Sequence, residues 1–214
     1  ADSTRRWLTD EEYRSMSDTE RNQLALDRYL RRNKTNWEIG RDFEAYIGHE
    51  YSKRGYLVEY VGMHEGIEDL GRDLICKREM ETLIVQCKRW AQGKLIHEKH
   101  INQLVGTTIE YAQKNGGRLN LGLHSMRFGD GLFKQLIRPV FITTTSLSTT
   151  AKQFAESLGV EVREEMKVGN YPVIKCNISR HDARKIYHLP FDQQYDSTVI
   201  EQDKGEFFAF TVQE

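Results

Sequence analysis

The sequence predicts an α/β protein in which a mixed β-sheet is flanked by helices and preceded by a helical extension. Three observations predict it. Apolar residues at helical spacing, Ile39, Phe43, Tyr46, Ile47 and Tyr51, lead into three short β-branched-rich runs, LVEYVG, GRDLICK and TLIVQCK. A second helical stretch from about residue 97 to 115 follows, with Ile101, Leu104, Val105, Thr108 and Ala112 on one face. A buried-type strand, PVFITTT, then gives way to SLSTTAKQFAESLG and VEVRE, the strand, helix, strand order of a crossover unit. The length of 214 residues suits one medium domain with attachments and leaves no room for two large ones.

Each element has a local reason. Thr9 to Glu12 and Ser17 to Glu20 are Ser/Thr-x-x-Glu capping boxes, so two short helices are expected near the start. The second is apolar at Leu24, Leu26, Tyr29 and Leu30 and ends in Arg28, Arg31, Arg32 and Lys34. Those cations suit a helix C-terminus and also a phosphate backbone, and a solvated face is the plainer reading. A third box, Thr35 to Glu38, opens the first core helix, and Gly55 stops it. The three β runs read as one meander, and Asn115-Gly116-Gly117 ends the next helix. Residues 118–138 read as loop-rich, with 118–137 as an insertion before the PVFITTT strand. From about Leu189 onward six acidic residues face only Lys204, an acidic appendage. The expected division is therefore a helical extension over 1–36, a core over 37–178 and a small acidic element over 179–214.

Composition excludes several classes. With 3 Pro, 38% hydrophobic and 29% charged residues, the chain is neither disordered nor collagen-like. Apolar runs fall well short of the roughly 20 residues that cross a bilayer, so no membrane role is expected. ADSTRRWLTDEEYRS lacks the apolar stretch of a secretory signal, and the three cysteines, Cys76, Cys87 and Cys176, are odd in number, which points to a reducing, cytoplasmic setting. A net charge of -1 means that any nucleic-acid role rests on local charge. Neither GxxxxGK nor GxGxxG occurs, and no Cys-x-x-Cys supports a zinc finger.

The residues that carry chemistry are Asp73, Gln86 and Lys88, with Glu44 upstream. Side chains alternate along a strand, so Gln86 and Lys88 share one face while Val85 and Cys87 take the other. If GRDLICK pairs with TLIVQCK, Asp73 joins them at the same edge. A carboxylate, an amide oxygen and an ammonium then stand together, a set that holds a hard divalent ion and offsets phosphate charge. A plain cross-strand ion pair between Asp73 and Lys88 is the structural alternative, contributing about 0–1 kcal/mol at a surface. Glu68 and Asp69 precede Asp73 as turn residues or water-mediated metal contacts. Beyond the strand, Arg89, Lys94, His97 and Lys99 with Trp90 form a basic loop suited to a phosphate backbone. His100, Gln103 and Thr107 form a polar column on the next helix, placed to meet phosphate, to support Lys88, or simply to be wetted. Cys87 faces the apolar layer and lacks the setting of a nucleophile.

In these stretches the chain resembles the PD-(D/E)xK nuclease superfamily, and within it the Mrr-like restriction endonucleases with a Gln-x-Lys variant. The matching text is GRDFEAYIGHEYSKRGYLVEYVG, GIEDLGRDLIC, LIVQCKRW, HINQLVGT and PVFITTTSLSTTAKQFAESLGVEV, about half the chain. The resemblance implies a restriction-endonuclease-like core of order α-β-β-β-α-β and Mg²⁺-dependent hydrolysis of DNA, with Mn²⁺ able to substitute. It makes Asp73 and Gln86, with the Cys87 carbonyl, the metal ligands, Lys88 the catalytic lysine and Glu44 the acidic residue of the first core helix. It also implies a setting in restriction or anti-phage defence. Cutting two strands requires two sites, so a homodimer is expected. Arg89, Lys94, His100 and Gln103 are the expected DNA contacts. An activating ligand or protein partner is left open, as is a non-catalytic binding module on the same fold or a nuclease of branched or damaged DNA.

Overall fold

The computed structural model of the chain describes residues 2–61, 71–121, 124–128 and 135–214. They form two units, one of residues 36–169 and one in which both chain ends, 1–35 and 170–214, come together.

The chain opens with a 3-10 turn over Ser3–Trp7, followed by α1 (Asp10–Ser15) and α2 (Asp18–Arg31). Both expected capping boxes form: Thr9 Oγ1 accepts the Glu12 N–H at 3.3 Å while the Glu12 carboxylate accepts the Thr9 N–H at 2.8 Å, and Ser17 and Glu20 repeat the exchange. The buried stripe of α2 is Ala25, Leu26 and Tyr29, whereas Leu30 is exposed. One cation of the basic run has an internal task. Arg28 donates to the Trp7 carbonyl at 2.8 Å and grips both carboxylate oxygens of Glu12 at 2.7 and 2.6 Å.

The larger unit begins with α3 (Asn36–Ser52), and Gly55, at φ 81, turns the chain into β1 (Leu57–Tyr60). β2 (Leu74–Arg78) and β3 (Glu81–Lys88) complete the expected antiparallel meander, in register Val58↔Cys76 and Leu74↔Val85. α4 (Glu98–Asn115) then crosses over one face of the sheet. The next stretch differs from the loop-rich reading. β4 (Gly117–Leu121) and β5 (His124–Phe128) pair antiparallel, so the segment read as an insertion supplies two strands to the sheet. β6 (Leu136–Thr143) runs parallel to β3, α5 (Thr149–Ser157) follows, and β7 (Glu161–Arg163) runs parallel to β6. The sheet order is β1-β2-β3-β6-β4-β5. The free edge of β6 is shared, β4 pairing at Leu136 and Ile137 and β7 at Val140 to Ile142.

Two apolar layers sandwich this mixed sheet. On one face Phe43, Ile47 and Tyr51 of α3 pack against Leu74, Cys76, Leu83, Val85 and Cys87. On the other, Ile101, Leu104 and Val105 of α4 and Ala151 and Ala155 of α5 cover Ile75, Ile84 and Phe141. Burial of these aliphatic and aromatic side chains, at about 25 cal/mol per Å² of apolar surface, is what holds the helices to the sheet. Gly48 is required by this packing, since a Cβ there would lie 2.4 Å from the Tyr60 hydroxyl.

The C-terminal stretch, expected as an acidic appendage, folds as a second sheet of β8 (Ile174–Ile178), β9 (Lys185–His188) and β10 (Phe207–Ala209), ordered β10-β8-β9. Its core is Val173, Ile174, Leu189 and Ala209 with Leu26 of α2. Gln23 Oε1 accepts the Val212 N–H at 3.0 Å, tying α2 to the C-terminal stretch. The two segments read from sequence as separate appendages thus share one core. No helix among the described residues is long and apolar enough to cross a membrane.

Candidate active site

The site forms where β2 begins and β3 ends. Asp73 stands one position before the Leu74↔Val85 pair, which sets it across from Gln86. The residue is 4% exposed, and its Oδ2 accepts the Cys87 backbone N–H at 2.6 Å. The Asp73 N–H donates to the Val85 carbonyl at 2.8 Å, so backbone and side chain together pin the residue to β3.

Gln86 is fully buried, and both its amide atoms, Oε1 and Nε2, lack a hydrogen-bond partner among the described residues. Because Ile84 packs with α4 and Val85 and Cys87 pack with α3, the alternation puts Gln86 and Lys88 on the α4 side. Lys88 is half-buried beside Thr143, its register partner on β6. Glu44, half-buried, comes from α3 on the other side. The charges converge at Cys87: burial foremost, then the carboxylates of Asp73 and Glu44, push its thiol well up, and Lys88 opposes them. That thiol is no nucleophile. Asp73, Gln86 and Lys88 are brought together at this end of the sheet, while Glu44 approaches Cys87 from the α3 face; Glu68 and Asp69 lie outside the described residues.

A buried amide with no partner is costly, about 1–3 kcal/mol for each unmet group, and such groups mark places where an ion or ligand completes the structure. Gln86 Oε1, the Asp73 carboxylate and the Cys87 carbonyl are hard oxygen donors of the kind Mg²⁺ takes. The residues fit a divalent ion on that ground. Among the described residues no three His, Cys, Asp or Glu cluster as a metal site, so an ion here would need the amide and a carbonyl beside the Asp73 carboxylate.

The basic loop leaves the sheet directly after Lys88. Arg89 and Lys94 are both exposed, Arg89 Nη1 reaching the Ile39 carbonyl in a long contact of 3.5 Å. Trp90 is half-buried, its carbonyl accepting from Thr144 Oγ1 at 3.1 Å, and its ring meets the His100 ring edge-on at 5.3 Å. His100 Nε2 is buried without a partner among the described residues, and burial, then Lys88, Lys99 and His97, push the imidazole pKa down. Gln103, on the same face of α4, lies against Gly71, where a Cβ would be 2.5 Å from its amide.

Sequence reasoning missed two parts of this surround. The loop before β2 is fastened to α4, since Gly71, at φ 78, admits Gln103 and Arg72 donates to Glu110 at 2.8 Å. The spacing of Gln103 and Glu110, two helical turns apart, was the available signal. The second part is a cleft of about 630 Å³ lined by Arg89, Trp90, Gln92, Thr145, Glu165 and Lys167. Its far wall follows β7, and nothing in the sequence joins residue 167 to residue 89.

Two solved structures show partial likeness. A protein of unknown function, AF1548, matches with 14% identity and a TM-score of 0.40 over 57% of each chain. The MspJI restriction endonuclease in complex with a 27-mer oligonucleotide matches with 13% identity and a TM-score of 0.37 over 71% of this chain and 32% of that one. The chain thus spans 57% and 32% of these two proteins. No curated protein matches it. Residues 37–117, the stretch that carries every side chain from Glu44 to Gln103 described above, match the Mrr_cat family model, whose description is restriction endonuclease.

Proposed function

We propose that this protein is a metal-dependent DNA endonuclease that hydrolyses phosphodiester bonds at Asp73, Gln86 and Lys88. The observation that carries the reading is the buried Asp73 carboxylate across from the buried, unpartnered Gln86 amide, with Lys88 on the amide's face, in the segment that matches a restriction endonuclease model. Asp73, the Gln86 amide oxygen and the Cys87 carbonyl hold Mg²⁺, for which Mn²⁺ substitutes, and Glu44 supports its hydration shell. When bound, the ion supplies Lewis-acid stabilisation of charge on the phosphate. Lys88 orients the attacking water and offsets the negative charge that grows on the phosphate oxygens. The Cys87 N–H holds the Asp73 carboxylate in place. Arg89 and Lys94, with His100 and Gln103 behind them, meet the DNA, and their cations position the backbone without reading sequence.

The unit of residues 36–169 carries the chemistry in this reading. A homodimer supplies the two sites that a double-strand cut needs. Restriction or anti-phage defence in the cytoplasm is the setting such chemistry suits. A second reading, a binding module that hydrolyses nothing, is favoured by one feature: Gln86 is neutral, which lowers the site's negative charge and its pull on a cation.

The test is cleavage of supercoiled plasmid with Mg²⁺, with Mn²⁺ and with EDTA, beside Lys88→Ala and Asp73→Ala. Metal-dependent nicking or linearisation that both substitutions abolish is expected. Wild type that binds DNA but never cuts it, with either metal, overturns the nuclease and leaves the binding module.

A further inference from the structure

A glutamine that binds a cation, as Gln86 does in the reading above, poses a problem of orientation. A carboxylate offers two equivalent oxygens to a cation. An amide offers one oxygen and one NH₂ group, and only the oxygen can ligate. Something must hold the NH₂ away from the ion.

Among the described residues the buried Gln86 amide has no partner for either atom, so its orientation is not set within its own strand. Facing it across the layer is α4. Ile84, two residues earlier on the same face of β3, packs in one cluster with Ile101, Leu104 and Val105. On that helix His100 Nε2 is also buried and also without a partner among the described residues. Two contacts fix the height of His100 along β3. Its ring lies edge-on to Trp90, just past Lys88, while Gln103, one turn on, lies against Gly71 just before Asp73. His100 is therefore level with the end of β3 that carries Gln86 and Lys88. An imidazole Nε2 that carries no proton is an acceptor, and the Gln86 NH₂ is a donor, so the two buried atoms are complementary.

We propose that His100 is a positioning residue: its Nε2 accepts a hydrogen bond from the Gln86 side-chain NH₂ when the metal is bound, turning Oε1 toward Asp73. This rests on the metal-site reading above and adds to it the device that makes a glutamine usable as a ligand. Partners of this kind, which orient a ligand without touching the ion, typically change metal affinity or activity by about 10–100-fold when removed.

The experiment measures Mn²⁺ affinity by calorimetry, and plasmid cleavage, for wild type, His100→Ala, His100→Asn, Gln86→Glu and the Gln86→Glu/His100→Ala double variant, with thermal melting to check folding. In the wild-type background His100→Ala is expected to weaken Mn²⁺ binding by about 10–100-fold, and His100→Asn, which keeps an acceptor, to retain most of it. In the Gln86→Glu background there is no NH₂ to hold, so removing His100 is expected to change affinity little. Equal losses in both backgrounds overturn the pairing and reduce His100 to packing against Trp90. So does His100→Ala that binds Mn²⁺ like wild type, or His100→Asn that fails as badly as His100→Ala. Absence of Mn²⁺ binding by folded wild type overturns the metal site itself and the pairing with it, a result distinct from wild type that binds metal with no coupling.

Discussion

The Asp73 carboxylate and the Cys87 backbone N–H form a buried hydrogen bond of 2.6 Å that extends the β2–β3 ladder by one rung through a side chain. The same residue donates its own N–H to Val85 at 2.8 Å. A residue read from sequence as chemistry is therefore also part of the fold, and the two roles separate by substitution. Asp73→Ala leaves the buried Cys87 N–H without an acceptor, which costs about 1–3 kcal/mol. Asp73→Asn keeps an acceptor oxygen of the same shape and loses the charge. Urea denaturation is expected to show Asp73→Ala destabilised by that amount and Asp73→Asn close to wild type, while plasmid cleavage is abolished in both. Cleavage by Asp73→Asn at the wild-type rate would remove Asp73 from the metal site.

Gly71 sets how closely α4 approaches the site. Its φ of 78 is one that side chains adopt at a cost, and a Cβ would lie 2.5 Å from Gln103 Cδ. Gly71→Ala is expected to destabilise by about 1–3 kcal/mol from backbone strain together with the clash. Gln103→Ala in the same chain removes only the clash. Equilibrium denaturation of the two single variants and the double should show partial recovery, a coupling that disappears if Gln103 does not rest on Gly71.

In the smaller unit the acid sensitivity has a named origin. Hydrogen bonds from Arg28, then from the Thr9 N–H, hold the Glu12 carboxyl down to about 2, against an ordinary value of 4.5. A depressed carboxylate lends stability that is present above its unfolded value and is lost as pH falls through the folded one. The gap in stability between wild type and Glu12→Gln is therefore expected to be constant above about pH 5 and to shrink between pH 4.5 and about 2. An NMR titration of the Glu12 carboxyl gives the midpoint directly, and a midpoint near 4.5 would mean that Arg28 does not engage it in solution.

What the sequence made legible follows from locality. Capping boxes at Thr9 and Ser17 and the apolar faces of α3 and α4 depend on residues a few positions apart, and the structure places them as read. The β4–β5 hairpin was missed although Leu119 and Leu121 alternate, because Asn120 between them and Gly116, Gly117 and Gly122 on either side carry turn signals of equal weight. The C-terminal sheet was missed for a different reason. β8 pairs with β10 some 30 positions on, at Cys176↔Phe207, and is covered by Leu26 from the other end of the chain, so its buried face has no local period. The same holds at the site. Asp73, Gln86 and Lys88 are legible as a pattern of neighbouring positions, whereas the seating of Gly71 on Gln103 and the cleft wall at Lys167 exist only after folding.

Arg89 and Lys94 project from the loop that leaves β3, and both are exposed where the Asp73 carboxylate and the Gln86 carboxamide are buried. Across the cleft stands Lys167, reached only through β7. Each cation that meets a DNA phosphate releases a counterion, so log K falls with log salt by about 0.9 per contact on a duplex. Measured by fluorescence anisotropy in the non-cleaving Asp73→Asn background, Arg89→Ala and Lys94→Ala are each expected to reduce that slope by about 1, with similar losses across unrelated DNA sequences. Lys167→Ala tests whether the backbone path also follows the cleft: a matching loss of slope places phosphate on both walls, and an unchanged slope confines the DNA to the β3 side. Arg89 and Lys94 variants that keep the wild-type slope would show that the duplex approaches by another face, and the basic loop would then be only a solvated exit from the sheet.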